Sequence, residues 1–350
     1  MPQRVASRRV RVGVGAGAAA LAALLAACGT ASPARRPPPT LPPAAEPAQA
    51  PPPATPPAGT VVSLGARTAP EGIVADSATG VVAVGQRSPA ALDLLDEQGH
   101  LLRRVLLPAG PRHLGLAAPG GPVLVPSEVS GRLIEVSLRT RAITAQIPTG
   151  VHPHDVAVAD GRLFVANEFS NDVSVISGTH VVKDIGVPQQ PGGIASVGDL
   201  VGEVSVRART LAVIDAKSLA TVATVPAGVG PTHDVGYRNR FYVADTQGGA
   251  LLTYSTTPTV RKVASTKLAG APYGVALDAT HGRLWVTLTA TNRLVAFDLD
   301  SPTPTVVASL PTVRQPNTVA VDPKTGTVFV TGTYAGVVEV IPTSAQRLRR

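Results

Sequence analysis

The sequence is poor in cysteine and in aromatic residues. Its 350 residues include one cysteine, Cys28, one tryptophan and one methionine, and only 3% are aromatic. A disulfide framework and a Cys-x-x-Cys-His haem attachment are therefore excluded, as is thiol chemistry beyond residue 28. The chain also lacks the Gly-x-Ser-x-Gly turn of serine hydrolases and a glycine-rich phosphate loop following a strand. The common routes to covalent and phosphoryl-transfer catalysis are absent.

The body of the chain also lacks excess charge. The net charge is +8, but nine of the 31 basic residues and one of the 23 acidic residues lie outside residues 60–346. This leaves 22 residues of each sign in the body. A basic groove for phosphates is not visible, which argues against nucleic acid as a partner.

The N-terminus has no apolar run long enough to span a bilayer. Arginines 4, 8, 9 and 11 precede sixteen apolar or small residues, 12–27, fewer than the ~20 that a transmembrane helix needs. This pattern predicts a secretory signal peptide over residues 1–27. Leu25 to Cys28 reads LAAC and resembles the lipobox of bacterial lipoproteins, which implies lipidation of Cys28. The expected location is the outer face of the cytoplasmic membrane or the cell envelope, with the membrane as a partner; an ordinary signal with a chance cysteine is the alternative.

Residues 28–59 are rich in proline and alanine and contain almost nothing to bury. Proline at this density favours polyproline II and opposes a packed core. The composition predicts a disordered, semi-rigid spacer between Cys28 and the folded body.

Residues 60–343 consist of internal repeats. Seven related phrases begin with a proline, at spacings of 38 to 44 residues: Pro70, Pro111, Pro153, Pro191, Pro231, Pro272 and Pro316. Each unit contains short β-branched runs separated by Gly, Asn and Asp turns, which predicts a four-stranded antiparallel meander. A sheet of this size can bury both of its faces only if the repeated sheets pack against one another around a common axis. The sequence predicts an all-β fold, a seven-bladed β-propeller of repeats of about 41 residues.

The seventh repeat stops after its third strand, and a spare strand precedes the first proline. That strand, TVVSLGART at residues 60–68, matches VVASLPTVRQ at residues 306–315. The N-terminal strand is therefore predicted to complete the last blade and close the ring, which would protect its edges. Residues 344–350 are predicted to form a basic tail, and the protein is predicted to be a monomer.

The repeats resemble the YVTN-repeat, YncE-like β-propellers of bacterial envelopes. The resemblance lies in Pro316 to Asp322, reading PNTVAVD, and in Phe164 to Asn167, reading FVAN. It covers about residues 60–343 and implies a seven-bladed propeller outside the cytoplasm. It implies little about chemistry, because function depends on the site rather than on the fold. Propellers that bind a quinone cofactor dock it on several aromatic side chains, and a single tryptophan, Trp285, is too few for this. Trp285 is predicted to pack between blades.

Polar side chains concentrate in the loops expected at one end of the channel. The loop that enters each innermost strand and the loop between strands two and three open on the same face, where ligands bind. The candidate binding residues are His113, His152, His154, Asp155, Glu168, His233, Asp234, Asp245 and Tyr273.

Two interpretations of the histidines remain open. Each histidine can hold its own loop by bonding an aspartate or the backbone, the interpretation that the sequence favours. Alternatively, His113, His154 and His233 can bind a divalent metal, Zn²⁺ or Cu²⁺, if His233 reaches across the mouth. The predicted function is a binding or scaffold module for a peptide, glycan or small molecule. A metal-dependent hydrolase or lyase is the alternative.

Overall fold

The computed structural model describes residues 41–301 and 303–346. The predicted signal peptide, Cys28, the first part of the spacer and the last four residues lie outside this range. Within it the chain forms 28 strands and a 3₁₀ helix, η1 (Thr343–Ala345). These described residues contain no helix that is long and apolar enough to cross a bilayer.

The strands form seven four-stranded antiparallel sheets, the blades, which are arranged in a ring. The all-β, seven-bladed prediction is confirmed. Blade one consists of β2 (Pro70–Asp76), β3 (Val81–Gln86), β4 (Ala91–Leu95) and β5 (Leu101–Leu106). Blade two consists of β6 (Gly115–Leu116), β7 (Val123–Ser127), β8 (Arg132–Ser137) and β9 (Ala142–Pro148). Blade three consists of β10 (Pro153–Ala159), β11 (Arg162–Asn167), β12 (Asp172–Ser177) and β13 (His180–Gly186).

The remaining blades follow the same order. Blade four consists of β14 (Pro191–Val197), β15 (Leu200–Ser205), β16 (Thr210–Asp215) and β17 (Ala220–Pro226). Blade five consists of β18 (Pro231–Tyr237), β19 (Arg240–Asp245), β20 (Ala250–Ser255) and β21 (Arg261–Lys267). Blade six consists of β22 (Pro272–Asp278), β23 (Arg283–Leu288), β24 (Arg293–Asp298) and β25 (Thr305–Pro311). Blade seven consists of β26 (Pro316–Val321), β27 (Val328–Gly332), β28 (Val337–Ile341) and β1 (Thr60–Ser63).

The core lies between adjacent blades. The two middle strands of each blade are mostly buried, whereas outer strands such as β9 and β17 are exposed at most positions. This follows from the repeats, since a sheet packed on both faces is apolar along its length and its outer strand meets water. Trp285 of β23 is fully buried against Val319 and Val330 of the next blade. The predicted packing of Trp285 between blades is confirmed.

The ring closes through β1. This strand pairs antiparallel with β28, from Thr60 opposite Val340 to Ser63 opposite Val337. The next residue, Leu64, is 8% exposed and packs in a cluster that includes Ile73 and Phe329. The predicted closure by the N-terminal strand is confirmed.

The innermost strand of blade two is short. β6 has two residues, and the turn after it contains Gly120 and Gly121, both at positive φ. The second strand of blade four lacks an aromatic residue, as do those of blades one and two. In the structure β15 is regular, and the ring of Phe241 from blade five fills the space beside Gly202, where a Cβ would lie 2.8 Å from it.

Residues 44–51 lie on the propeller, and we call them the covering segment. Ala45 and Ala50 are only 6% and 5% exposed, and the backbone of residues 48–51 is hydrogen-bonded to blades six and seven. The structure therefore differs here from the disordered spacer that the composition predicts. The physical reason is that this segment binds through its backbone groups, which proline-rich composition does not reveal.

Candidate functional site

The side chains at the channel mouth come from the loops that begin the innermost strands. In most blades the pairing of the innermost strand with its neighbour shifts just after the repeat proline, as between Pro231 and Asp234. Such a bulge re-aims side chains and is common beside binding sites. The one or two residues after each proline therefore reach the mouth from several blades.

Three histidines from different blades meet there. The ring centroids of His113 and His233 are 4.3 Å apart, those of His113 and His154 are 5.1 Å apart, and those of His154 and His233 are 6.2 Å apart. One ring nitrogen from each lies within 4.8 Å of the other two. We call these residues the three-histidine cluster. They come from blades two, three and five, so His233 does reach across the mouth.

Hydrogen bonds fix the orientation of two of the three rings. His233 Nδ1 lies 3.1 Å from the carbonyl oxygen of Tyr273, and His154 Nδ1 lies 3.4 Å from Oε2 of Glu168. A carbonyl oxygen only accepts, and an ionised carboxylate does the same, so each Nδ1 donates its proton. Nε2 of each neutral ring is then an unprotonated electron-pair donor. His113 Nε2 is buried and has no hydrogen-bond partner among the described residues.

Burial sets the protonation of these groups. It lowers the pKa of His113 well below its usual range, aided by the neighbouring His233 and His154. Burial likewise lowers the pKa of His233 to about 3. For Glu168, burial alone would raise the pKa, but the hydrogen bonds from His154 and Gln190 bring it to about 2. At neutral pH, His113 and His233 are neutral and Glu168 is a carboxylate.

Arg112 and Tyr273 stand beside the cluster. The ring of His233 contacts Tyr273 edge-on at 4.5 Å, and Tyr273 is 2% exposed. Arg112 forms ion pairs with Glu128 and with Glu46 of the covering segment, both at 3.2 Å. Because Ala44, Ala45 and Glu46 line the same small space as His154 and His233, the covering segment lies over the cluster.

A cavity of about 110 Å³ adjoins the cluster. It is lined by His113 and His233 together with Asp155 and Asp234. Burial raises the pKa of Asp155 to about 7, and burial together with Asp155 raises that of Asp234 well above its usual range. Oδ2 of Asp155 accepts from the amide of Ile194 at 3.3 Å, whereas neither carboxyl oxygen of Asp234 has a partner in the described part of the chain.

Two candidate residues lie outside the cluster. The ring of His152 contacts that of Phe169 at a tilt, with centroids 4.5 Å apart, and a ring nitrogen of His152 lies within 4.8 Å of carboxylate oxygens of Glu128 and Glu168. Glu128 is paired with Arg87 at 2.9 Å as well as with Arg112. The positive charges of these two arginines disfavour a metal cation beside Glu128. Asp245 is a loop anchor, since its carboxylate accepts from the amides of residues 229, 230 and 248.

Sequence reasoning missed Arg112, Glu71 and Arg87 at the mouth. Glu71 pairs with Arg87 at 3.3 Å. A signal was present, because the residue directly after the repeat proline is Glu71, Arg112, His154 or Tyr273 in four of the blades. Aligning the repeats on their prolines places all four at one level of the channel. Gln190, which donates to Glu168 at 2.7 Å, precedes its proline instead.

Comparison with known proteins supports the fold only. No family model matches the chain, and no curated protein does. Hydrazine synthase of Kuenenia stuttgartiensis is similar in structure, with a TM-score of 0.70, 17% identity, and coverage of 79% of this chain and 96% of that one. Virginiamycin B lyase from Staphylococcus aureus has a TM-score of 0.68 and 15% identity, and the match covers 81% of this chain and 98% of that one. A streptogramin B lyase has a TM-score of 0.67 and 12% identity, and the match covers 80% of this chain and 97% of that one. At these identities the likeness establishes the seven-bladed fold and not an activity.

Proposed function

We propose that this protein is a binding module that holds a transition-metal ion, Zn²⁺ or Cu²⁺, at its channel mouth. The observation that carries the proposal is the convergence of His113, His154 and His233, whose ring nitrogens lie within 4.8 Å of one another. Neutral imidazoles suit both metals. Burial lowers the pKa values of His113 and His233, so the electron pairs of these two rings are not lost to protons at neutral pH.

The surroundings of the rings support the same assignment. Histidine ligands generally donate their second ring nitrogen to a carboxylate or a backbone carbonyl, which fixes the tautomer. His154 does so to Glu168 and His233 does so to Tyr273. With metal–nitrogen distances of about 2.0–2.1 Å, a shared ion holds its nitrogens roughly 3.3 Å apart. The rings therefore need to close by up to about 1.5 Å, within the reach of side-chain rotation.

A metal-dependent hydrolase or lyase is the second candidate function. The observation that favours it is the pair Asp155 and Asp234 in the cavity beside the cluster, with both oxygens of Asp234 unpartnered within the described residues. A carboxyl group with a raised pKa can exchange a proton with a molecule bound next to a metal. Two structural neighbours are lyases by name, but at 12–15% identity this adds no weight.

We also propose that the propeller is exported and anchored to the membrane by a lipid on Cys28. The support is the basic and apolar pattern of residues 4–27 followed by LAAC. Membership of the YVTN-repeat, YncE-like group rests on the repeat motifs at Pro316 and Phe164. Outside the cytoplasm, peptides, glycans and metal ions are the available ligands, and all three fit a mouth built from polar loops.

Zn²⁺ titration of the metal-stripped, untagged protein tests the metal site. We expect one equivalent of Zn²⁺ to bind by calorimetry, and His154→Ala to weaken the affinity at least about tenfold, because losing a ligand should cost no less than losing a residue that orients one. His180→Ala is the matched control, since His180 is exposed in β13 and should leave the affinity unchanged. Equal binding by both variants, or no binding to the unsubstituted protein, would remove the proposal.

A further inference from the structure

The covering segment is held on blades six and seven by its backbone. Gln315 uses both ends of its side-chain amide: Oε1 accepts from the amide of Ala50 at 2.9 Å, and Nε2 donates to the carbonyl of Ala48 at 2.9 Å. This pairing imitates the neighbouring strand of a sheet, in which one residue's groups bond the N–H and C=O of an extended chain. These two hydrogen bonds require an extended backbone and involve no side chain of the bound segment.

Other side chains of the same rim extend this pattern. Thr289 Oγ1 accepts from the amide of Ala48 at 3.0 Å, and Asn292 Nδ2 donates to the carbonyl of Pro51 at 2.8 Å. Arg314 Nε donates to the carbonyl of Ala50 at 3.0 Å. We call Thr289, Asn292, Arg314 and Gln315 the peptide groove. Its residues are about 240 to 265 positions away in the sequence from the segment that they bind.

The groove residues are also hydrogen-bonded to one another and to the neighbouring strand. The backbone N–H of Gln315 donates to Oδ1 of Asn292 at 3.2 Å. The side-chain Nε2 of Gln315 also donates to Oδ1 of Asn317 at 3.0 Å. Both Gln315 and Asn292 have positive φ, 59° and 50°, as do residues at the same repeat positions in other blades, such as Gln190 and Asn171.

The bound segment suits such a groove. Its prolines at 47 and 51 restrict the free chain to extended conformations, so less entropy is lost on docking. The two alanines with exposures of 5–6%, Ala45 and Ala50, leave no room for large side chains at those positions. Glu46 adds an ion pair to Arg112. The preferred peptide is therefore extended, rich in proline and small residues, and acidic at the position of Glu46.

We propose that the peptide groove is a binding site for extended proline- and alanine-rich peptides from other protein chains, and that the covering segment is its intramolecular occupant. A tethered occupant acts at an effective concentration in the millimolar range. A peptide from another chain therefore binds weakly while the covering segment is docked and well once it is released. This inference does not depend on the metal site.

The test uses the full chain and a fluorescent synthetic peptide with the sequence of residues 41–53, LPPAAEPAQAPPP. The double substitution Ala48→Pro with Ala50→Pro removes both donating amides of the covering segment but keeps it extended. We expect peptide affinity, measured by fluorescence anisotropy, to be at least about tenfold higher for this variant than for the unsubstituted chain. Deletion of residues 44–51 is a second way to empty the groove and should act in the same direction.

Two controls separate groove binding from adsorption. Adding Gln315→Ala to the double variant should abolish the gain, because the amide that bonds both Ala48 and Ala50 is lost. A peptide with proline at the positions of Ala48 and Ala50 should bind at least about tenfold more weakly, since it lacks the two N–H donors. The proposal is overturned if both emptied variants are folded by circular dichroism and fail to bind the peptide. Equal binding of the two peptides, or binding unaffected by Gln315→Ala, overturns it too.

Discussion

Glu203 lies in β15 with no exposed surface, in an environment that disfavours a charged carboxylate. Burial raises its pKa well above the usual value, and nearby Asp234 adds to the effect. The Ser205 hydroxyl lies 2.9 and 3.0 Å from the two carboxyl oxygens and 3.0 Å from the carbonyl of Pro188. The hydroxyl has one proton, so Ser205 can donate to only one of these acceptors at a time. When Glu203 is protonated, it can donate to Ser205 while Ser205 donates to Pro188.

Glu203→Gln should therefore stabilise the protein at neutral pH. In the unfolded chain the carboxyl group ionises above its usual pKa of 4.5, while in the folded protein it stays protonated to higher pH. Rising pH thus favours unfolding of the parent protein by roughly 1 kcal/mol per pH unit until the folded pKa is reached. The side-chain amide of the glutamine variant keeps the hydrogen bond to Ser205 and does not ionise.

Urea unfolding at pH 4 and pH 7 measures this effect. The stability gain of Glu203→Gln should be small at pH 4 and exceed about 1 kcal/mol at pH 7. Glu97→Gln, at an exposed turn, is the control and should show no such change with pH. A gain of equal size at both values would mean that Glu203 is ionised in the folded protein.

The sequence predicted which residues form the site better than it predicted how they are arranged. The sequence named His113, His154, His233, Glu168 and Tyr273, because repeat alignment shows which loops open on one face. It favoured loop anchors that bond a carboxylate or the backbone, as His154 does to Glu168 and His233 does to Tyr273. It did not predict that the rings also contact one another across blades. Distances across a channel depend on its diameter and on bulges, which no local pattern encodes. Asp245 was named for ligand binding and serves as an anchor, since loop anchors and ligands use the same residue types.

Among the elements, β1 joins the two ends of the chain. Its pairing with β28 covers the edge of that strand, and β1 becomes the exposed outer strand of blade seven, so this blade has four strands like the others. Leu64 extends this junction into the core, where it packs near Ile73 of blade one and Phe329 of blade seven. The closing contact therefore combines backbone pairing with burial of an apolar side chain.

Leu64→Ala should destabilise the propeller by about 2–3 kcal/mol, because a buried leucine side chain is lost and a cavity remains. Val61→Ala is the matched control, since Val61 is 43% exposed on the same segment and should cost less than about 1 kcal/mol. Chemical unfolding of both variants gives the comparison. A loss below about 1 kcal/mol for Leu64→Ala would show that burial of this side chain contributes little to stability.

The elements were predictable because each repeat carries its own strand and turn signals. The number of blades, the order of strands and the closure by β1 followed from proline spacing and from the match of residues 60–68 to residues 306–315. The covering segment was not predictable, because side chains more than 240 positions away hold its backbone. The short β6 was missed because the phrase at Pro111 repeats the pattern, while Gly120 and Gly121 redirect the chain after it.

For the whole molecule, the proposed lipid anchor makes a direct prediction. Cys28→Ala removes the acceptor of the lipid without changing any described residue of the propeller. The variant should fractionate as a folded protein outside the membrane, whereas the parent protein stays in the membrane fraction after a high-salt wash. Immunoblotting of the fractions provides the measurement. Retention of the variant in the washed membranes would contradict the anchor.

The covering segment also bears on how far a propeller anchored at Cys28 can lie from its membrane. Residues 44–46 lie over the channel mouth, three residues after the described part of the chain begins. Residues 29–40 number twelve and, even fully stretched, span at most about 43 Å. If Cys28 carries the proposed lipid, these twelve residues limit how far from the bilayer the start of the covering segment can lie.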